Sequence, residues 1–243
     1  MIEVMRDAMA SARDDLARNG FFVWRGGLEL ARLGKLREEI DRYAVRVAAE
    51  ALPTTHDTPG QSATLKSMNA INQHDAWFAD VLDQLALREM AENLLAQPVV
   101  VRNVQWFDKP PAASDAPGTP PHQDAVFSGL QPAEGLTFWL PLDSVDRQNG
   151  CLWFVPGSHL AALEHAGSDT AGFSRRLAAW TDELAGRELA TEVEPGDVVV
   201  FHILTVHRTD PNRSTRHRRA LGIQVKTTRA RETNPKAFRP NVV

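Results

Sequence analysis

The sequence predicts a mainly β protein with helices on one flank, and two observations support this. Residues 1–97 place apolar side chains at steps of three and four, the spacing of an amphipathic helix. After Pro98 the chain changes to short runs rich in Val, Ile, Trp and Phe, separated by Gly, Pro, Asn and Asp. Several short strands with turn residues between them favour a sandwich or a barrel over a parallel βαβ sheet. We therefore expect all 243 residues to form one domain, with a helical flank over 1–97 and a β core over 98–228.

The helical flank is expected to contain one strand and two long helices. Phe21-Phe22-Val23-Trp24 is a short apolar run that ends at Gly26-Gly27 and indicates an early strand. Over 28–52 the apolar side chains form a single stripe, which predicts a helix; they are Leu30, Leu33, Leu36, Ile40, Tyr43, Ala44 and Val47. Residues 76–96 predict a second amphipathic helix that ends before Pro98.

The β core is expected to consist of strands interrupted by two long segments. The strands are predicted over 99–107, 135–145, 151–155, 192–194, 197–203 and 219–227. The Pro-rich segment 108–121 excludes a helix or a central strand. Residues 160–190 are polar and predict an insertion with helical stretches. Together with 52–61, these segments are predicted to be lids over a functional site.

The composition excludes several classes of function. A net charge of −4 and a pI near 6.1 give no electrostatic footprint for nucleic acid. No apolar run approaches the roughly 18 residues that span a bilayer, and residues 1–20 lack an apolar signal-peptide core. Cys151 is the single cysteine, so no intrachain disulfide forms, which suits a reducing compartment. We expect a cytoplasmic protein with no membrane partner, and the sequence leaves its oligomeric state open.

The triplet His122-Gln123-Asp124 is the first candidate for chemistry. On an extended backbone, residues i and i+2 project to the same face, so an imidazole and a carboxylate converge on one point. Two His and one carboxylate on one face of an octahedron leave three positions open, as in non-haem Fe(II) oxygenases. Alone, the triplet fits a solvated surface loop equally well.

A second histidine far along the chain is the candidate for the missing ligand. His207 follows a strand that opens at Pro195-Gly196-Asp197, and Arg218 comes eleven residues after His207. An arginine near the metal suits a dicarboxylate co-substrate, because its guanidinium grips a carboxylate through two parallel hydrogen bonds. His202 competes with His207 as the third ligand, but its apolar setting favours a hydrogen-bonded residue inside the barrel.

The motifs together resemble the phytanoyl-CoA dioxygenase superfamily of Fe(II)- and 2-oxoglutarate-dependent oxygenases. The matching segments are PPHQDA, TFWLPLDSVDRQNGCLWFVPGSH and EPGDVVVFHILTVHRTDPNRSTRHRRAL, in the family's order and spacing. The resemblance implies a double-stranded β-helix, the jelly-roll or cupin-like core. It also implies Fe(II) bound by His122, Asp124 and His207, with 2-oxoglutarate and O2 as co-substrates. Arg218 then holds the C5 carboxylate of 2-oxoglutarate.

The same resemblance places further residues in the pocket and defines the reaction. Gln105, Thr137, Trp139 and Thr209 occupy positions where relatives contact the co-substrate. The family's oxidant is an Fe(IV)-oxo species that hydroxylates a substrate, here expected to be a free small molecule such as a natural-product intermediate or an amino-acid-like metabolite. Halogenating relatives replace the carboxylate ligand with Gly or Ala, so Asp124 argues against halogenation. Epimerisation, cyclisation, desaturation and epoxidation stay open, as does a non-redox cupin-like metal protein.

Other polar residues are expected to have structural or solvated positions. His159 follows a tight Pro-Gly turn and indicates a structural hydrogen bond or a contact at the rim of the site. The histidines in polar stretches are expected to be solvated; they are His56, His74, His165 and His217. Arg213, Arg216 and Arg219 are expected to be solvated or ion-paired. Cys151 is expected to be a small buried residue, and one of Trp153 and Phe154 should face the core while the other faces a second sheet or the pocket.

Overall fold

The computed structural model describes residues 2–50, 54–56, 65–111, 118–170 and 173–233. Its α-helices are α1 (Ile2–Asn19), α2 (Leu30–Glu50), α3 (Ile71–His74), α4 (Ala76–Ala79), α5 (Val81–Gln84), α6 (Arg88–Leu95), α7 (Ala125–Ser128) and α8 (Asp182–Gly186). Its first strands are β1 (Phe21–Trp24), β2 (Thr54–His56), β3 (Leu65–Met68), β4 (Val99–Lys109), β5 (Thr119–His122), β6 (Leu130–Gln131), β7 (Gly135–Pro141) and β8 (Leu152–Phe154). The remaining strands are β9 (His165–Gly167), β10 (Arg175–Leu177), β11 (Leu189–Thr191), β12 (Val198–His202), β13 (His207–Thr209), β14 (Arg218–Thr227) and β15 (Arg231–Glu232).

Two antiparallel sheets face each other and form the jelly roll. The large sheet has the strand order β1-β12-β7-β14-β4-β3-β2, and the small sheet has the order β11-β8-β13-β5. Strands that are distant in sequence alternate in both sheets, which is the mark of a double-stranded β-helix. The expectation of a mainly β fold with flanking helices and a jelly-roll core is confirmed.

The large sheet separates two apolar layers. One face packs against the flanking helices through alternate residues of its central strands, among them Phe138, Leu140, Leu221 and Ile223. The opposite face meets the small sheet through a second cluster that includes Trp139, Phe201 and Phe154. Every residue of β7 is buried, because this central strand is covered on both sides.

The long apolar stripe after residue 28 forms α2, with Leu36 and Tyr43 fully buried. The second predicted helix, over 76–96, is wrong as one element, since the chain forms α4, α5 and α6 there. Ala86 lies in the break between α5 and α6. Its φ of 56° is in the left-handed region, which interrupts the helical hydrogen bonding. None of the helices in the described part of the chain combines the length and apolarity that a bilayer crossing requires.

Two predicted loops contain strands. The Pro-rich segment ends in β5, which carries Pro120 and Pro121 and lies at the edge of the small sheet, where proline is tolerated. Residues 112–117 of that segment lie outside the described residues, as do 52–53 and 57–61 of the predicted first lid. The insertion 160–190 was expected to be helical in part. Its described residues form the hairpin β9–β10 and one short helix, α8.

Candidate metal centre

The structure brings His122, Asp124 and His207 together between the two sheets. Each residue offers one ligand atom, and these atoms lie within 4.8 Å of one another. His122 and His207 are directly opposite each other on β5 and β13, and their ring centroids are 4.2 Å apart. Asp124 Oδ1 lies 3.5 Å from Nε2 of His122 and 3.8 Å from Nε2 of His207.

The backbone between the two proximal residues differs from the extended path that the sequence suggested. The strand ends at His122, and Asp124 has the helical dihedrals φ −58° and ψ −31° immediately before α7. The carboxylate therefore converges on the imidazole through a turn from strand into helix, and not through strand alternation.

Both imidazoles are oriented by the backbone. Nδ1 of His122 lies 2.8 Å from the carbonyl oxygen of Pro120, and Nδ1 of His207 lies 3.0 Å from that of Thr205. When each Nδ1–H donates to its carbonyl, each Nε2 keeps its lone pair and points into the cluster. This is the arrangement by which proteins fix metal-binding histidines.

The charge states suit a divalent cation. Burial lowers the pKa of His207 to about 4, so its imidazole is neutral at neutral pH. Burial alone would raise the pKa of Asp124, but the adjacent His207 and His122 outweigh it and lower that pKa. The Thr137 hydroxyl donates a hydrogen bond of 2.7 Å to Oδ2 of Asp124, which orients the carboxylate.

Arg218 is a buried cation on the same side of the large sheet. Arg218 is 3% exposed, and its guanidinium carbon lies 5.6 Å from the centre of the Trp139 ring. Among the residues that the structure describes, none accepts a hydrogen bond from Nε of Arg218. Burial lowers the pKa of Arg218 to about 10, so the group stays charged at neutral pH. A buried and charged guanidinium whose Nε has no acceptor among the described residues calls for an anionic ligand.

Three of the other predicted pocket residues share this face of the large sheet, and the fourth, Thr209, lies on the small sheet. Gly222 of β14 lies opposite both Trp139 of β7 and Gln105 of β4, so these residues form one row across three strands. Thr137 lies in the next row and contacts Asp124. Thr209 is buried on β13, where its hydroxyl accepts hydrogen bonds from Lys109 Nζ at 2.6 Å and from the Thr119 amide at 3.1 Å.

Aromatic rings lie beside the cluster on the side of the small sheet. The rings of Phe127 and Phe173 lie 5.6 Å and 6.0 Å from that of His122, and both side chains are half-buried. Phe154 packs against His207, and Trp153 points away, where Arg147 and Arg208 cover it. Phe154 lies in the core as expected, whereas Trp153 faces these two arginines and not the pocket or a second sheet, as had been expected for it.

The remaining histidines take varied positions. His202 lies outside the cluster, with its Nδ1 accepting from the Leu204 amide at 3.2 Å. His159 packs against His202 with ring centroids 5.8 Å apart. His74 is exposed as expected, and His217 is exposed but lies 3.0 Å from the carboxylate of Asp108. The side chain of His56 lies outside the described residues.

The expectation that His165 is solvated is wrong. It is half-buried on β9, its Nε2 accepts from the Gln123 amide at 3.0 Å, and its Nδ1 lies 2.9 Å from the carbonyl oxygen of Leu163. Sequence reasoning missed it because its neighbours are polar and the contact is distant in the chain.

Cys151 is fully buried, as expected. Burial raises the pKa of its thiol to about 11, so the thiol is neutral at neutral pH.

The arginines near Arg218 in sequence are ion-paired or exposed to solvent, as expected. Arg216 pairs with Asp146 at 2.5 Å and Arg219 with Asp143 at 2.8 Å, while Arg213 is exposed. Asn212, which the distal motif includes, donates to the carbonyl oxygens of Lys109 and Arg216 and so holds the turn before β14.

A jelly roll with two histidines and a carboxylate between its sheets defines the class of cupin-like metal-binding proteins. Within this class, the model of the family described as phytanoyl-CoA dioxygenase (PhyH) matches residues 16–220. The chain belongs to the phytanoyl-CoA dioxygenase family.

Relatives with similar sequences agree with this assignment. Phytanoyl-CoA dioxygenase domain-containing protein 1 of Mus musculus is 28% identical over 176 residues, which are 69% of this chain and 58% of the mouse protein. The dioxygenase lolE1 of Epichloe uncinata is 34% identical over 167 residues, covering 68% of this chain and 61% of that protein. The chain thus spans less than two thirds of the length of these relatives.

The fold itself is shared with a solved structure. The epimerase SnoN, crystallised in complex with Fe3+, alpha ketoglutarate and nogalamycin RO, has a TM-score of 0.76 and is 21% identical. The alignment covers 98% of this chain and 92% of that one. Similarity at this identity concerns the fold.

Proposed function

We propose that this protein is an Fe(II)- and 2-oxoglutarate-dependent oxygenase that hydroxylates a free small molecule. The observation that carries the proposal is the combination of the buried His122–Asp124–His207 cluster with the buried guanidinium of Arg218, whose Nε has no acceptor in the described part of the chain. A cation site alone suits many metal proteins. The arginine adds the requirement for an anionic co-substrate, which a non-redox cupin-like protein does not have.

The donor set fits Fe(II). Two imidazole nitrogens and one carboxylate oxygen match the ligands that non-haem iron sites use, and they leave coordination positions open. His122, Asp124 and His207 would hold the ion. When bound, iron activates O2 at the expense of 2-oxoglutarate, which is the chemistry of the family.

The residues around Arg218 fit 2-oxoglutarate. Its guanidinium offers two parallel donors to a carboxylate, and burial strengthens that ion pair by excluding water. In this proposal Arg218 holds the distal carboxylate, while Trp139, Gln105 and Thr209 line the co-substrate. Thr137 keeps the Asp124 carboxylate oriented toward the ion through its hydrogen bond.

The proposal also includes the class of substrate and the outcome of the reaction. Hydroxylation is favoured, and Asp124 keeps the carboxylate that halogenating relatives lack. Epimerisation remains the alternative outcome on the same centre, because SnoN, which shares the fold, is described as an epimerase. A cytoplasmic location belongs to the proposal as well, in line with one free and buried cysteine, Cys151.

The test is an anaerobic titration of Fe(II) and 2-oxoglutarate followed by visible absorbance. Wild-type protein should develop a weak charge-transfer band, and Arg218→Met should weaken 2-oxoglutarate binding by roughly 100-fold while iron affinity stays within about threefold. Arg219→Met is the matched control, since this exposed neighbour pairs with Asp143 and should leave both affinities unchanged. The absence of a band at saturating co-substrate would refute the proposal.

A further inference from the structure

A row of polar side chains crosses the large sheet beside the proposed metal centre. Asn103 of β4 lies opposite Gln224 of β14, and Gln224 lies opposite Thr137 of β7. Residues paired in this way project to the same face of an antiparallel sheet. Since Thr137 contacts Asp124, Asn103 and Gln224 face the space between the sheets that contains the metal cluster.

The side chain of Asn103 is buried in this row, and its oxygen is not satisfied by the described residues. Asn103 is 2% exposed, and its Oδ1 accepts no hydrogen bond from any residue in the described ranges. A buried amide oxygen in this state destabilises the fold, because it has lost water and gained nothing in exchange. Such a group is retained where a ligand completes its hydrogen bonding.

A β-bulge brings a charged residue to the same place. The register of β4 against β14 skips Arg102, so this residue is the extra one on the bulged strand. Its side chain is 5% exposed, with Nη1 donating to Gln224 Oε1 at 2.5 Å and Nε 3.3 Å from Glu232 Oε1. Glu232 balances the charge of Arg102, so this corner of the pocket needs no anion from a ligand.

The position of Gln224 follows from this contact. Its Oε1 is engaged by Arg102, which leaves its NH2 group as the donor for a ligand. Asn103 Oδ1 supplies an acceptor next to it. On the other side of the cluster, the Phe127 and Phe173 rings beside His122 provide flat apolar surfaces.

We propose that Asn103 and Gln224 form a substrate subsite that recognises hydroxyl groups on a neutral ring. The inference rests on the proposed function, since it assigns the substrate class of the same centre. Arg102 is a positioning residue that fixes the Gln224 amide. An alkyl or fatty-acyl chain is a poor ligand for this subsite, because it would bury both amides without hydrogen bonds. Sites of this kind reject analogues that lack the matching polar group.

The first test measures stability and separates a ligand-binding role from a structural one. Asn103→Leu removes the unpartnered amide with little change in volume, so the melting temperature of the metal-free protein should rise by roughly 2–4 °C. Asn72→Leu is the matched control, because Asn72 Oδ1 accepts a hydrogen bond of 3.0 Å from the Val104 amide. That variant should melt at a lower temperature. If Asn103→Leu also melts lower, Asn103 has a structural role and the proposal is wrong.

The second test measures substrate-stimulated succinate release by the iron-loaded protein with 2-oxoglutarate. One panel contains methyl glycosides and hydroxylated polycyclic ketones, and the other contains saturated C8–C16 fatty acids and their coenzyme A esters. Compounds of the first panel should stimulate release. Asn103→Leu should lower kcat/KM for the best of them by roughly 10- to 100-fold, chiefly through KM.

The outcomes distinguish this inference from the proposed function. Wild-type protein that gives no charge-transfer band refutes the proposed function itself. A normal band combined with stimulation by fatty acids or their esters alone, or by neither panel, overturns the subsite and leaves the oxygenase assignment intact. A kcat/KM for the best hydroxylated compound that changes by less than threefold in Asn103→Leu overturns it as well.

Discussion

The backbone amide of Gln123 donates a hydrogen bond of 3.0 Å to Nε2 of His165, and so connects the residue between two proposed iron ligands to the insertion. The Gln123 side chain strengthens this connection. Its Nε2 donates to the carbonyl oxygens of Ala161 at 2.8 Å and Leu204 at 2.6 Å, and its Oε1 accepts from the Leu163 amide at 2.8 Å. The insertion is therefore attached directly behind the metal centre.

We expect Gln123→Ala to loosen the insertion and weaken iron binding together. The variant loses its side-chain hydrogen bonds, each worth about 1 kcal/mol, and residues that orient metal ligands typically change affinity by roughly 10- to 100-fold. Limited proteolysis should cut more readily within 160–190, and Fe(II) affinity should fall about tenfold. Gln73→Ala, at an exposed position, should change neither. Iron affinity at the wild-type value would show that the insertion and the metal centre are independent.

Thr137→Val should weaken iron binding at almost constant shape. The valine keeps the volume of the side chain but removes the hydroxyl that donates a hydrogen bond of 2.7 Å to Asp124. The carboxylate therefore loses the group that orients it. We expect Fe(II) affinity to fall by roughly 10- to 100-fold in a chelator-competition titration. Thr227→Val is the control on the same sheet. It loses a hydrogen bond of 2.8 Å to Glu134 and should bind iron as the wild type does. Equal losses in the two variants would indicate a general effect on the sheet.

Gly150→Ala should destabilise the turn that precedes β8. Gly150 has a φ of +89°, and an added Cβ would lie 2.6 Å from the carbonyl oxygen of Asp210, so strain and collision act together. We expect unfolding free energy to fall by about 2 kcal/mol or more in urea denaturation. Gly186→Ala, at the end of α8 with open space around it, should be neutral or slightly stabilising. Equal stability of the two variants would exclude strain at Gly150.

The layout of the fold was predictable because its signals are local. Leu36 and Tyr43 repeat at helical spacing and form α2, and the apolar runs after Pro98 form buried strands. The interruption of 76–96 was not predictable, because the left-handed residue that ends α5 is an alanine, Ala86, and not a glycine. Tertiary packing overrode its high helix propensity there.

The site was predictable to the extent that its chemistry is rare. It is uncommon for one chain to combine a histidine and an aspartate two residues apart with a remote histidine and an arginine at a fixed distance from it. The structure brings all four residues to one side of the large sheet. Arg102 carries no such signal. A single bulge changes the face to which a residue points, and the sequence of β4 does not mark the bulge. His165 was missed because its partner is a backbone amide.

Asp197 provides a prediction for the pH dependence of stability, at a position away from the metal centre. Its carboxylate accepts hydrogen bonds from the amides of Gly26 at 2.9 Å and Glu194 at 3.0 Å, and it pairs with Arg25 at 2.6 Å. Burial alone would raise the pKa of Asp197, but these donors outweigh it and lower the pKa below the ordinary 3.8. The folded protein therefore stabilises the ionised form. This contribution is complete above the unfolded pKa and is lost as the pH falls through the lower folded value.

We expect Asp197→Asn to lower the melting temperature by roughly 4–8 °C at pH 7, since the asparagine NH2 group faces donors that the carboxylate had satisfied. The difference between wild type and variant should be constant from pH 5 to pH 7, because Asp197 is ionised in both the folded and the unfolded chain there. It should shrink below about pH 4, as protonation removes the wild-type advantage. Differential scanning fluorimetry across this range measures both effects.

Asp83→Asn is the control for this prediction. The exposed ion pair between Asp83 and Arg88 is screened by solvent, so its loss should shift the melting temperature little. A difference that stays constant down to pH 3 would show that the hydrogen-bond geometry at Asp197, and not its charge, stabilises the link between the end of β1 and the start of β12.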